Sequence, residues 1–242
     1  MLILGLQKLT LLDYPGHLAA ILFTGGCNYR CPFCHNKGLV TEIDQTHALS
    51  IESVLSFLTS RSGKLQGVVI SGGEPTLQSD LIPVIKQIRD LGYKVKLDTN
   101  GSHPEILKQC LEEGLLDYVA MDVKNALQLY PETCGITPQQ QELLTSPVVA
   151  SMAVLDQYYK QQLYPQSPFT YELRTTLVRD FHTPEALDQL RTLVAHAPLY
   201  VLQSFRPSDQ QIIQGFQSFS DEELHDIHRF MLERIDHVIV KG

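Results

Sequence analysis

The sequence predicts an α/β fold in which a mostly parallel sheet curves into a partly open barrel of six β/α units. Two observations carry this reading. Short apolar runs alternate with amphipathic segments along the chain, as strands and helices do when they take turns around one sheet. Polar and charged residues then gather just after the apolar runs, at the strand ends where parallel barrels collect their reactive groups. Six units are too few to seal the eight-fold barrel, so the sheet is expected to stay open.

The elements follow in chain order. Residues 18–24 (LAAILFT) form the first expected strand, followed by 67–71 (GVVIS), 93–98 (YKVKLD), 117–122 (DYVAMD), 170–177 (TYELRTTL) and 199–204 (YVLQSF). A last short run at 237–240 (HVIV) adds one more strand. Helical periodicity covers 51–61, 80–91, 104–113, 138–158, 184–196 and 221–234. Several of these segments carry their own end signals. Ser220 followed by Glu223 makes a capping box, Pro184 after Thr183 suits a first turn, and Gly92 and Gly114 stand where helices stop. Irregular backbone is expected from Pro131 to Pro138 and at Tyr164-Pro165-Gln166-Ser167-Pro168, neither long enough to divide the chain. One domain is therefore expected over 1–242, with a core of about 17–206 and a C-terminal helix and strand over 220–240.

Composition narrows the class. With 242 residues, 43% hydrophobic and 19% charged, the chain has the make-up of an ordinary globular protein. Its net charge of −8 argues against a nucleic-acid surface, which needs a basic patch or stripe. No apolar run approaches a membrane span, and Met1 to Lys8 lack the basic and apolar regions of a signal peptide, so a cytoplasmic protein is expected.

The chemistry is concentrated in Gly25-Gly26-Cys27-Asn28-Tyr29-Arg30-Cys31-Pro32-Phe33-Cys34-His35-Asn36, directly after the first strand. Three thiolates from one loop can hold three irons of a cubane cluster and leave the fourth iron open to a small molecule. A structural zinc site wants four ligands, and His35, adjacent to Cys34, is badly placed to close the same tetrahedron. Five cysteines without a secretory signal also argue against a disulfide framework.

The other strand ends supply Gly72-Gly73-Glu74-Pro75, Asp98-Thr99-Asn100-Gly101, Asp122-Val123-Lys124, Arg174 within the fifth strand, and Phe205-Arg206-Pro207 after the sixth. Each also has a plainer reading. The glycine runs suit turns, Asp122 and Lys124 can pair as ions on one strand face, and Arg206 can simply be solvated. Cys110 reads as a core residue of a helix, while Cys134 in Thr133-Cys134-Gly135 is open to exposure and carries no assigned role.

With this triad and this order of strand-end groups, the chain resembles the radical S-adenosylmethionine (SAM) superfamily, and within it the glycyl radical enzyme activases. The resemblance runs from Leu9-Thr10-Leu11-Leu12-Asp13-Tyr14-Pro15-Gly16 to about Arg206. Leu12 to Gly16 and Cys31 to Asn36 look most like the anaerobic ribonucleoside-triphosphate reductase activating proteins, relatives of the pyruvate formate-lyase activating enzymes. It implies a partial (β/α)6 TIM-like barrel in which Cys27, Cys31 and Cys34 ligate a [4Fe-4S] cluster whose open iron chelates SAM.

The same resemblance implies that Phe33, Cys34 and His35 surround the adenosine and that Gly72, Gly73 and Glu74 receive the methionine amino group. Asp122, Val123 and Lys124, with Arg174, would reach the SAM carboxylate and ribose. Arg206 stands where the pyruvate formate-lyase activating enzymes have a histidine. Asp98, Thr99, Asp122 and the carbonyl of Ala120 would frame a monovalent cation. The implied oxidoreductase cleaves SAM reductively and generates a glycyl radical on a partner enzyme, fed by a flavodoxin or ferredoxin-like reductant. No cysteine lies between Cys34 and Cys110, so the ferredoxin-like insert of many activases is absent. Two other readings stay open: a radical SAM enzyme acting on a small molecule or nucleoside precursor, and an iron–sulfur electron-transfer protein without SAM turnover.

Overall fold

The computed structural model describes residues 1–161 and 168–242. Eight strands form one sheet in chain order: β1 (Ile3–Thr10), β2 (Ala19–Thr24), β3 (Gly67–Gly72), β4 (Lys94–Thr99), β5 (Tyr118–Asp122), β6 (Thr170–Leu177), β7 (Tyr200–Ser204) and β8 (Val238–Lys241). Strands β2 to β8 run parallel to their neighbours, and β1 lies antiparallel against β2. The helices are α1 (Lys37–Val40), α2 (Ile51–Ser60), α3 (Leu81–Asp90), α4 (Pro104–Glu112), α5 (Tyr130–Thr133), α6 (Gln141–Gln161), α7 (Pro184–Leu193) and α8 (Asp221–Leu232). The result is the expected partial α/β barrel, open between β1 and β8.

Every expected strand and long helix is present within a few residues. The added strand is β1, which periodicity misses because it is a half-exposed edge strand with two register shifts against β2. The stretch around Pro131 is also more regular than expected. Residues Leu127–Leu129 and α5 are short helical turns, with Pro131 in the first turn of α5 where its missing N–H costs nothing. The expected break at 164–168 falls outside the described residues except for Pro168. Among the described residues, no helix is long and apolar enough to cross a membrane.

Alternation along the strands divides the interior in two. Ala20 and Leu22 on β2, Val68 and Ile70 on β3, and Val95 and Leu97 on β4 face the helical layer in the main core. Ala19, Ile21, Val69, Tyr118 and Ala120 face the barrel lumen instead, where Tyr14 packs among them. Burying each large aliphatic side chain stabilises the fold by about 1.5–3 kcal/mol. The lower lumen is therefore filled with side chains, while the carboxyl ends of the strands carry polar residues.

Helix ends behave as their sequences require. The Ser220 hydroxyl accepts from Glu223 N while the Glu223 carboxylate accepts from Ser220 N, completing the capping box of α8. Thr183 caps α7 through Ala186 N, with Pro184 in the first turn.

Candidate active site

All three loop cysteines line one cavity of about 220 Å³ at the carboxyl ends of the strands. Tyr29, Phe33, His35, Asn36, Ser71, Gly72, Gly73, Asp98, Thr99, Asn100, Asp122, Lys124, Arg174 and Thr176 complete its wall with Val40. The cysteine loop is locally ordered by its own backbone: Cys34 N donates to the Cys31 carbonyl at 3.0 Å, and Tyr29 N donates to Cys27 Sγ at 3.4 Å. An amide from Asn36 likewise serves the Cys34 sulfur. Burial pushes the Cys27 thiol up to about 12 and the Cys34 thiol upward as well. The Lys124 ammonium opposes burial at both and favours their thiolates.

The loop is seated by close backbone approach. Gly73 N donates to the Thr24 carbonyl at 2.9 Å and Glu74 N to the Gly26 carbonyl at 2.7 Å. A methyl group at Gly73 would stand 1.9 Å from the Gly26 oxygen, and Gly72 sits at φ +116°. These two glycines thus do their work against the cysteine loop itself.

The Glu74 carboxylate ties the segments after β3 and β4 together, while its backbone N–H holds the cysteine loop. Its Oε1 accepts from Thr76 N (3.1 Å), Thr76 Oγ1 (2.6 Å) and Thr99 Oγ1 (2.7 Å), and its Oε2 from Asn100 N (2.6 Å). Burial pushes its carboxyl upward against the pull of these four donors. Fully buried and off the cavity wall, Glu74 has no free face toward a ligand and positions the loops around it.

On the other side of the cavity, charges of alternating sign run through the lumen. Lys96 pairs with Asp98, Asp98 faces Arg174 at 3.5 Å, Arg174 Nε donates to Asp122 at 2.8 Å, and Lys124 Nζ donates to Asp122 at 2.8 Å. Burial works to raise the Asp122 carboxyl but is outweighed by Arg174 and Lys124, which hold it well below the usual carboxylate range. Asp98 is held low in the same way, by Arg174 and Lys96. Nearest the cavity, Arg174 and Lys124 flank the single carboxylate of Asp122, which suits a ligand carboxylate, while Glu172 on the inward face of β6 adds a third carboxylate facing Arg174.

Three further expected residues stay off the cavity wall. Val123 faces the main core, Ala120 is buried in the lower lumen, and Arg206 is exposed. Arg206 contributes only its carbonyl, which accepts from Gln211 Nε2 at 3.4 Å. Cys110 is a core residue, as expected, and Cys134 is fully buried rather than exposed because α5 packs it behind the cysteine loop.

Sequence reading missed Lys96 and the polar lining residues Ser71 and Thr176. The signal for Lys96 was present, since it shares the inward face of β4 with Asp98 at period two while Val95 and Leu97 face out.

The residues present fit a cluster better than they fit a free monovalent cation. Three thiols, two of them with amide donors, share one cavity, and the buried Tyr29 hydroxyl on its wall has no partner among the described residues. Around Asp98 the donor set is already used. Its carboxylate takes the Lys96 ammonium, the Ser71 hydroxyl at 2.9 Å and the Arg174 guanidinium, while Thr99 Oγ1 turns to Glu74. Of the four ligands that the resemblance implies for a cation, Asp98 already carries the Lys96 ammonium, whose Nζ also lies 5.7 Å from the Tyr118 ring centroid.

Comparison with known proteins agrees with this geometry. A protein of Methanocaldococcus jannaschii named "Putative glycyl-radical enzyme activating enzyme" is 30% identical over 246 residues, covering 99% of this chain and 95% of its own. A "Probable GTP 3′,8-cyclase" of Methanothermobacter thermautotrophicus is 30% identical over 112 residues, 46% of this chain and 35% of its own. The crystal structure of Streptococcus suis SuiB bound to S-adenosylmethionine has the same fold, with a TM-score of 0.62 at 15% identity over 92% of this chain. The chain spans about half of SuiB, 52% of its length. The sequence profile of the Radical SAM superfamily matches residues 21–143, so the chain belongs to that superfamily.

Proposed function

We propose that this protein is a radical SAM activase that generates a glycyl radical on a partner enzyme. The observation that carries the reading is the end-to-end match, 99% of this chain against 95% of a relative bearing the activating-enzyme name. Cys27, Cys31 and Cys34 would hold the [4Fe-4S] cluster. When bound, cluster and SAM supply the reductive cleavage of the carbon–sulfur bond and the 5′-deoxyadenosyl radical that abstracts hydrogen.

The chain's own part is to hold and orient. Arg174 and Lys124, with Asp122 between them, present positive charge to the SAM carboxylate. Phe33 and His35 offer ring faces to the adenosine; Phe205 packs against both, with centroids 6.3 Å and 5.5 Å away. Gly72 and Gly73 present backbone to the methionine amino group, with Glu74 fixing that backbone from behind. Leu12 to Gly16 and Cys31 to Asn36 favour an anaerobic ribonucleoside-triphosphate reductase as the partner, with a flavodoxin or ferredoxin-like protein as reductant.

The second reading, a small-molecule or nucleoside substrate, draws on the cyclase match, which covers 46% of this chain. One experiment separates the two. Anaerobically reconstituted protein given dithionite and SAM is expected to release 5′-deoxyadenosine, and adding the partner enzyme should give a glycyl radical signal by electron paramagnetic resonance. Release of 5′-deoxyadenosine with no radical on any glycyl radical enzyme supplied would overturn the activase reading, and no release at all would overturn both.

A further inference from the structure

A fourth thiol lies behind the cysteine loop. Cys134 closes α5 and is completely buried. Two backbone contacts hold its segment to the loop: Arg30 N donates to the Cys134 carbonyl at 2.8 Å, and a methyl at Gly135 would stand 2.1 Å from the Arg30 oxygen. Cys31 follows Arg30 in the loop, and its thiol and that of Cys134 interact across this contact. Cys27 and Cys34 instead take amide donors from Tyr29 and Asn36. Cys31 is therefore the loop thiol with another thiol beside it.

We propose that Cys31 and Cys134 form a reversible disulfide in the cluster-free protein, protecting the cluster loop from irreversible oxidation. Access sets the order of events. Of this pair, Cys31 lines the cavity and is 7% exposed, whereas Cys134 is at 0%, so an oxidant entering the cavity reaches Cys31 before Cys134. Hydrogen peroxide converts the Cys31 thiol to a sulfenic acid, with one water released. The Cys134 sulfur then attacks the Cys31 sulfur: the S–S bond forms, the S–O bond breaks, and the second water leaves with the Cys134 proton. Two thiols have lost two electrons and two protons, and one peroxide has become two waters. A reducing dithiol reverses the bond and frees Cys31 to ligate iron. This holds whichever substrate the enzyme acts on, and its test needs neither SAM nor a partner.

The test uses the cluster-free chain treated with equimolar hydrogen peroxide, alkylated, and digested without reductant. Mass spectrometry is expected to find the Cys31 peptide joined to the Cys134 peptide, with fragmentation assigning the bond to Cys31 rather than Cys34. Dithiothreitol should then restore iron and sulfide uptake. The Cys134→Ser variant is expected to load iron normally before peroxide but to lose more than half of its recoverable loading afterwards, with Cys31 found as sulfinic acid. A wild-type disulfide confined to Cys27, Cys31 and Cys34, or equal recovery of wild type and variant, would overturn the proposal.

Discussion

Gly73 shows how little room a single residue can have. Its missing side chain lets the loop after β3 lie on the cysteine loop, and Gly73→Ala would force a methyl to 1.9 Å from the Gly26 carbonyl oxygen. Overpacking of this kind costs about 1–3 kcal/mol, and here the backbone that must yield also carries Cys27. Gly73→Ala is expected to lower the melting temperature and iron uptake together. Gly38→Ala, with nothing within 4 Å, is the control and should leave both intact. Iron uptake by Gly73→Ala equal to wild type would refute the role given to this contact.

Lys96 makes a second residue-scale prediction. It is 2% exposed and paired with Asp98, so a positive charge is built into the lumen. SAM cleavage by the wild type is expected to run at the same rate within about twofold in potassium, sodium or choline salts, because no metal cation has to enter. Lys96→Met leaves Asp98 short of one partner and should introduce a dependence on the monovalent cation. A wild-type rate that rises steeply with potassium would reject this.

Among the elements, α8 draws its start from a few side chains whose charge can be titrated. Arg179 is the leading cause holding the Glu223 carboxyl at about 2, with the Ser220 backbone and hydroxyl behind it. A carboxyl lowered in the folded state adds stability above its ordinary value of about 4.5 and loses it as pH falls toward 2. Glu223→Gln is therefore expected to melt below wild type at neutral pH, with the gap closing between pH 4.5 and pH 2. A gap that stays constant across that window would assign the effect to packing alone.

The elements also differ in how plainly the sequence wrote them. Strands β2, β3 and β5 were legible as short, largely apolar runs buried on both faces, and β4 and β6 by β-branched and apolar residues alternating with polar ones. Strand β1 was not, since Gln7, Lys8 and Leu9 are exposed and its pairing is irregular, leaving neither a run nor a clean alternation. The short α5 was masked by Pro131, a residue that breaks helices in their interior yet starts them at their first turn.

At the scale of the whole molecule, strand-end position told which residues would share one cavity but not how they would divide its contacts. Strand-end position was enough to bring Cys27, Cys31, Cys34, Asp98, Asp122, Lys124 and Arg174 to one cavity. It could not say that Glu74 would turn inward to staple the loops after β3 and β4, because that depends on where Thr76, Thr99 and Asn100 fall in space. Nor could it place Cys134 behind Cys31, since α5 reaches the loop only after β4 and β5 have been laid beside β3.

The packed lower lumen has a kinetic consequence. Tyr14 is 1% exposed between Tyr118 and Val69, so the barrel is stoppered at its amino-terminal end. The thiols cannot be reached from that end, so traffic to and from them runs on the side of the carboxyl-end mouth. A macromolecule seated over that mouth would trap spent nucleoside and methionine beneath it, making its withdrawal the gate between one turnover and the next.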